Sequence, residues 1–393
     1  MSSAYRTTIL TTPEQIAALA PTWEQLRQRH PQASIEHSPN WLGLATEPTA
    51  KPLAVALYRG DELVGVASFV VKPWRWHCLL GYKTVAKFPV TLADLCGDTL
   101  LAPDDLAAHE VLLNAAADAV DFDLILMEGL PENSPLWRAV FESPVVRRRF
   151  WAYRPAGSSQ RRIIRLSGTF QDYLQQFNPK TRGNIRRCVK KIEQACTGQM
   201  RVERITTRDQ LPKFLKSVEE ISAKSWQGTR LGWVVRNRAA ENERFGKMAD
   251  QGWLRSYLLS NGEQPIAFVL SWQDIGVFYY DQIGYDPAWA KLTPGTVLLQ
   301  RLLEDLFTHN PPQYLDFRYG DGTYKRIFSN HDFPEANVYL IRKSFYTGLL
   351  LATDKTLRAF ARGVRWSLDH LKLREKVRHI LRGRSQASVS AAK

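Results

Sequence analysis

The sequence predicts an α/β protein with mixed sheets, built as two tandem copies of one unit and ended by a basic helical tail. Three observations predict it. "ILTTPEQI" at 9–16 returns as "RITTRDQL" at 204–211. A hairpin-like run follows each, at 52–71 and at 253–272. A helix and then a short strand come after each hairpin: 104–120 with 122–130, and 295–307 with 314–320. Matches that recur in one order, at offsets of about 190–200 residues, mark an internal repeat.

Each unit opens on a strand that ends at Thr-Thr. The second threonine, Thr12 or Thr207, caps a helix, and Gln15 or Gln210 three residues later completes a capping box. The hairpins turn at Arg59-Gly60-Asp61 and Asn261-Gly262. "DIGVFYYDQIGYD" (274–286) reads as a strand and turn. The next helix takes Thr293 as cap and Pro294 at its first position, where proline is tolerated. Its apolar face is Leu298, Leu299, Leu302, Leu303 and Leu306, with Gln300, Arg301, Glu304 and Asp305 outward. Hairpins followed by a strand–helix–strand crossover make a mixed sheet. The linker "RPAGSSQ" (154–160) divides the units as 1–157 and 158–345, the second gaining an added strand, "RRIIRLS", and a basic helix. In the tail, 346–393, Leu357, Phe360, Val364, Leu368 and Leu371 recur at helical spacing among Arg and Lys. This basic amphipathic helix packs on the body, lies on a membrane surface as a peripheral contact, or grips RNA. The end, "SQASVSAAK", reads as disordered.

The net charge is +14, and it is concentrated. "KTRGNIRRCVKK" (180–191) has six basic residues and no acid, and 354–384 carries a net +7. Such patches meet nucleic acid, anionic membrane or phosphorylated ligands, or are solvated helix faces. Four cysteines without a CxxC pair and eight scattered histidines argue against a disulfide framework and a metal site. No run approaches the ~20 apolar residues of a membrane span. "MSSAYRTTILTTPEQ" lacks a secretory core. A cytoplasmic protein is expected.

"KLTPGT" (291–296) is the segment with the clearest chemistry. Amides of Gly295, Thr296 and Val297 at a helix start lack intrahelical acceptors and sit at the positive end of its dipole. Lys291 and the hydroxyls of Thr293 and Thr296 add donors, and Gly295 leaves room for close approach. The segment is either an anion site for a phosphate or a plain helix start. The first unit has Asp104-Asp105 at the equivalent place, which would repel a pyrophosphate.

The second unit resembles the GNAT acyltransferase superfamily, in its FemX/BioF2-like acetyltransferase branch, a CelD-type group associated with cellulose and exopolysaccharide biosynthesis. "FNPKTRGNIRRCVKKIE" (177–193), "SAKSWQGT" (222–229), "GYDPAWAKLTPGTVLLQRLLEDL" (284–306) and "LDFRYGDGTYKRIFS" (315–329) carry the likeness. The resemblance implies tandem GNAT-like domains, the first with a degenerate cofactor site. It implies acetyl-CoA or another acyl-CoA as co-substrate, with no metal, its pyrophosphate at the 293–297 helix start. It places the pantetheine arm between splayed strands near 276–284 and 313–319. The acceptor would be an amine, such as an amino sugar or polysaccharide precursor. Two other readings stay open: a Fem-like transferase using aminoacyl-tRNA, and a non-catalytic GNAT-like subunit of a polysaccharide system.

Acyl transfer to an amine needs a base for the amine and an acid for the leaving thiolate. Asp316 is the candidate base or amine anchor and Tyr324 the proton donor. Lys325, Asp281 and Trp226 are candidates for substrate contact. Each has a structural alternative: Asp316 as ion-pair partner of Arg318 or Lys325, Tyr324 and Trp226 as core.

Overall fold

The two repeats do not form separate sheets. In the computed structural model, which describes residues 5–31, 33–80, 83–225, 234–320 and 322–370, thirteen strands join in one sheet. In chain order they are β1 (Arg6–Leu10), β2 (Lys51–Arg59), β3 (Glu62–Leu80), β4 (Lys83–Leu95), β5 (Leu124–Pro131), β6 (Phe150–Tyr153) and β7 (Ser159–Arg165). Then come β8 (Met200–Ile205), β9 (Ser256–Asn261), β10 (Gln264–Asp274), β11 (Val277–Tyr285), β12 (Tyr314–Asp316) and β13 (His331–Arg342). Their order across the sheet is β1-β2-β3-β4-β5-β13-β7-β12-β11-β10-β9-β8, with β6 also paired to β13. The repeat is visible in that order: β1 to β5 run inward from one edge, and β8 to β12 from the other. In each series the last two strands, β4–β5 and β11–β12, are parallel.

The halves are joined by one crossing strand. β7, the strand added at the start of the second unit, pairs with β12 of that same unit. β13 closes the second unit but pairs with β5 of the first. β7 and β13 then pair with each other.

Local chemistry explains the flanking elements. Thr12 and Gln15 form the expected capping box, as do Thr207 and Gln210. The helix Pro294–Thr308 buries Leu298, Leu299, Leu302, Leu303 and Leu306 in a core with Tyr257, Val269 and Phe278. Ile185, Val189 and Ile192 of the helix Pro179–Ala195 join that core. Less of Pro294–Thr308 therefore faces solvent than its pattern predicts, and Gln300 is buried rather than outward.

A second core is shared by the halves. Trp23, Trp41 and Val66 of the first meet Phe214, Leu215, Trp272 and Tyr279 of the second. The rings of Trp41 and Trp272 lie 5.9 Å apart. Each large apolar side chain buried in this way contributes about 1.5–3 kcal/mol. The Ile35 amide also donates to the Tyr279 hydroxyl at 3.2 Å, from one half to the other.

The helix Phe345–His370 docks through Thr347, Leu350, Leu351 and Asp354. Asp354 accepts from the Tyr153 hydroxyl at 2.6 Å and from Trp76 Nε1 at 3.2 Å. Those bonds select the docked side. Phe360, expected on the packed stripe, lies about 240° round the helix from Asp354 and is 59% exposed. The side chains of Val364, Leu368 and Leu371 and the segment 385–393 lie outside the described residues.

Arg161 stands beside this crossing. Its buried guanidinium, on β7, donates to Asp316 on β12, Glu335 on β13 and Asp98 of the first unit. Replacing Arg161 by Met would leave these carboxylates without their cation. A loss of about 3–5 kcal/mol is expected, as when one partner of a buried ion pair is removed. Urea unfolding at neutral pH would show it as a lower midpoint. An unchanged midpoint would mean that the crossing does not rely on this charge.

Candidate active site

The site begins where β11 and β12 part. The two pair only over Val277–Tyr279 and Tyr314–Asp316. Beyond that point β12 ends, and β11 runs on to Tyr285 with that edge open. A bulge against β10, between the pairs Ser271–Tyr280 and Leu270–Gln282, makes Asp281 the extra residue. A bulge re-aims the side chains around it.

A slot of about 490 Å³ opens at this gap. Tyr280, Ile283, Gly284 and Tyr285 line it from β11, Gly295 and Thr296 from the helix Pro294–Thr308, and Tyr324 from the far side. Lys291 is exposed on the adjoining turn Pro287–Leu292.

The helix start is open, for a reason the sequence pattern missed. Thr293 occupies the cap position, but in a left-handed conformation (φ 53°, ψ 51°), and its side chain makes no cap bond. Its hydroxyl donates to the Leu292 carbonyl at 2.8 Å instead. The expectation of three acceptor-less amides is corrected. Thr296 and Val297 both donate to the Thr293 carbonyl, at 3.0 and 3.3 Å, and the Val297 side chain is core. Of the three, the Gly295 amide alone has no acceptor among the described residues. A Cβ on Gly295 would meet nothing nearer than Tyr285 Cδ1 at 4.0 Å, so space lies in front of it.

The first half closes the same position. The Asp105 carboxylate accepts from the Ala107 amide at 2.8 Å and from the Tyr5 hydroxyl at 2.5 Å. That helix start already holds an anion, one of its own side chains.

On the other side of β11 lies a cleft of about 960 Å³ between the halves. Tyr280 lines the slot while Asp281 lines the cleft; Tyr324 lines the slot while Lys325 lines the cleft. The splay thus stands between two cavities. Among the described residues, nine acidic and six basic side chains line the cleft, so its charge balance is acidic.

The predicted residues fall into different environments here. Asp316 is buried, and burial alone would raise its pKa. The Arg161 guanidinium and the Arg318 amide, which donates at 2.7 Å, outweigh that and hold its carboxyl below its ordinary value. Both its oxygens serve the ion pair. The Lys325 ammonium donates to the carbonyls of Phe317, Tyr319 and Gly320 at 2.8–3.0 Å and so folds the loop after β12 around itself. In that loop Arg318 adopts φ 58°, a strained conformation for a side chain of its size. Its guanidinium donates to Glu36 of the first half at 2.6 Å and stands 3.7 Å from Asp281. Asp281 is half-buried in the cleft, and burial raises its pKa against the opposing pull of Arg318. Tyr324 is pushed up to about 12 by burial. Trp226 lies outside the described residues.

Arg161, Glu36, Asp98 and Glu335 join this site from segments far apart in the chain, so no motif marks them. Glu335 is the most unusual. Its side chain is buried at the cleft wall, yet Oε1 has no hydrogen-bond partner and Oε2 meets only Arg161, at 3.4 Å. Burial raises its pKa more than Arg161 lowers it.

Comparison with known proteins places this geometry. Residues 179–326 match the family model described as an acetyltransferase (GNAT) domain. No curated protein matches the sequence. Among solved structures the chain is similar to FemX, at 12% identity and a TM-score of 0.61, over 89% of this chain and 100% of that one. It is also similar to the C-terminal domain of a putative lysylphosphatidylglycerol synthetase from Agrobacterium fabrum. There the identity is 10% and the TM-score 0.50, over 87% of this chain and 97% of that one. A tandem GNAT protein from the clavulanic acid biosynthesis pathway aligns at 11% identity and a TM-score of 0.46, over 86% and 100% of the two chains. The chain shares its α/β fold with FemX, and residues 179–326 form a GNAT acetyltransferase domain.

Glu335 gives a pH-dependent expectation. A carboxyl whose folded pKa is raised opposes folding once it is ionised, and is neutral in effect below its unfolded value of about 4.3. Glu335→Gln should therefore raise the melting temperature at neutral pH. The gain should shrink as pH falls toward 4, as scanning calorimetry across that range would show.

Proposed function

With a GNAT acetyltransferase domain as premise, we propose that the chain moves an acyl group from acyl-CoA to an amine bound in the cleft between its halves. The observation that carries this is the pair of cavities meeting at the splay of β11. One ends at an open helix start and suits a pyrophosphate; the other is acidic and suits a cationic amine.

The residues fit such a donor. The Gly295 amide, the Thr296 hydroxyl and Lys291 would hold the pyrophosphate, and the uncapped helix start adds its dipole. Gly284 and Ile283 leave a narrow, largely apolar channel for the pantetheine arm. Bound acyl-CoA supplies the activated carbonyl, a thioester. The chain's part is to deprotonate the amine and to return a proton to the departing sulfur. Asp281 is the better base. Its pKa is raised, toward the working range of a general base, whereas that of Asp316 is lowered by the ion pair with Arg161. Asp316 then orients Arg161 and the Arg318 loop. Tyr324, protonated at any ordinary pH, donates toward the thiolate from the slot side. The cationic amine first gives one proton to Asp281. Then, as the C–N bond forms and the C–S bond breaks, Tyr324 gives its proton to sulfur and regains one from the second proton that the nitrogen loses. The resemblance adds amino sugars and glycan precursors as the acceptor class.

Two measurements test this. Gly295→Asp has room for its side chain and repeats the first half's solution, a carboxylate at the helix start. It should fold normally, yet lose the thermal stabilisation that acetyl-CoA gives the unaltered chain, since a ligand stabilises only what it binds. Equal stabilisation of both proteins would overturn the donor site. No stabilisation of either, with strongly salt-dependent tRNA binding, would favour an aminoacyl-tRNA donor.

Asp281→Asn should cut turnover by about 10²–10⁴-fold and remove the acidic limb of the rate–pH profile. Asp316→Asn should act mainly on stability. A normal pH profile in Asp281→Asn would exclude it as base.

A further inference from the structure

The helix Phe345–His370 leaves one side without a partner, and that side is apolar. Phe345 is 92% exposed, Leu349 52% and Phe360 59%. Ala352 and Ala359 are exposed as well and extend the stripe, at steps of three and four residues, with the small exposed Thr356 between them. From Phe345 to Phe360 the stripe runs about 22 Å along the helix. Soluble monomers scatter exposed apolar residues singly; a continuous line of them marks a contact surface. The docked side is already satisfied by Leu350, Leu351 and Asp354, so turning the helix to hide Phe360 would break the bonds from Asp354 to Tyr153 and Trp76.

Charge selects the occupant. The acid within 345–363, Asp354, is fully buried, and the exposed positions carry Lys355 and Arg362 instead. Residues 355–384 contain ten Lys or Arg against two acids. A second segment adds to this surface. Lys343, two residues before the helix, donates to the Arg147 carbonyl at 2.7 Å, which holds the exposed Arg147 and Arg148 next to the helix start. An apolar stripe flanked by cations is what an anionic lipid surface takes up: the stripe enters the acyl boundary and the basic residues meet the headgroups. RNA would use the cations and leave the stripe in water. No helix among the described residues is long and apolar enough to cross a membrane, so the contact lies on the surface.

We propose that this face docks the protein on an anionic membrane surface, through Phe345, Leu349 and Phe360 with Lys355 and Arg362 at their flank. The inference does not depend on the acyl-transfer reading.

Co-sedimentation of the full chain with vesicles tests it. Vesicles with about one-third phosphatidylglycerol should bind it at least about tenfold more tightly than pure phosphatidylcholine, and added salt should weaken the binding. Phe345→Ser with Phe360→Ser, and separately Lys355→Glu with Arg362→Glu, should each reduce binding by about tenfold or more at unchanged melting temperature. Equal binding by wild type and the serine double variant would overturn the proposal. So would binding of bulk tRNA without binding of either vesicle. Self-association that the serine variant abolishes, without vesicle binding, would assign the stripe to a second copy of the chain and overturn it too.

Discussion

Arg161 sits beside the strand that joins the two halves, and its charge has to be met there. A guanidinium held in a sheet interior is costly unless carboxylates and hydrogen bonds surround it. The fold supplies Asp316 from β12, Glu335 from β13 and Asp98 from the first half. These groups converge only when β7 is paired with β12 and β13 in the observed register. A pair of this kind is weak evidence for net stability, since apolar residues of similar volume often do as well. Its consequence is positional. Asp316 is fixed by Arg161, and the Arg318 amide is fixed by Asp316. The strained loop that follows presents the Arg318 guanidinium to Glu36 and Asp281. The geometry of the cleft thus descends from one buried cation.

Features carried by neighbouring residues were legible in the sequence. The Thr12 and Thr207 capping boxes, the hairpin turn at Asn261-Gly262 and the helix start at Pro294 each rest on a few adjacent positions. The repeat was legible because both copies keep those signals in order. What could not be read is what depends on distant segments. The crossing of β13 to β5 leaves no trace in local pattern, because the strand would look the same paired only within its own half. The Glu36–Arg318 and Asp98–Arg161 pairs join residues 282 and 63 positions apart. Asp316 stood out in the sequence as an acid after the cofactor helix, but its pairing decides its chemistry, and that pairing is set by β7. Phe360 fitted a packed stripe by spacing alone; the buried Asp354 rotated the helix away from that arrangement.

The divergence of the two halves follows from a single position. Both have a parallel strand pair that parts after three residue pairs, and both have a helix starting beyond it. In the first half, Asp105 folds back onto its own helix start and Tyr5 holds it there. In the second, a left-handed Thr293 turns its hydroxyl to the preceding carbonyl and leaves the Gly295 amide facing the slot. A helix start filled by a fixed carboxylate cannot take a second anion without strong repulsion. One left open is a ready anion site.

This asymmetry gives each half a different part. The second half has the open helix start and the slot. The first half, with its own start closed, contributes Glu36, Asp94, Asp98 and Glu128 to the opposite cleft. Those residues make the cleft acidic, and they do so across β11 from the slot. The second half alone would have the slot but only part of the cleft wall. The first half is therefore more than structural support. It supplies the field in which a cationic amine would sit and, through Glu36, the anchor that aims Arg318 at Asp281. The crossing of β13 keeps that field in register with the slot, because neither half can move away without unpairing β13 from β5 and β6.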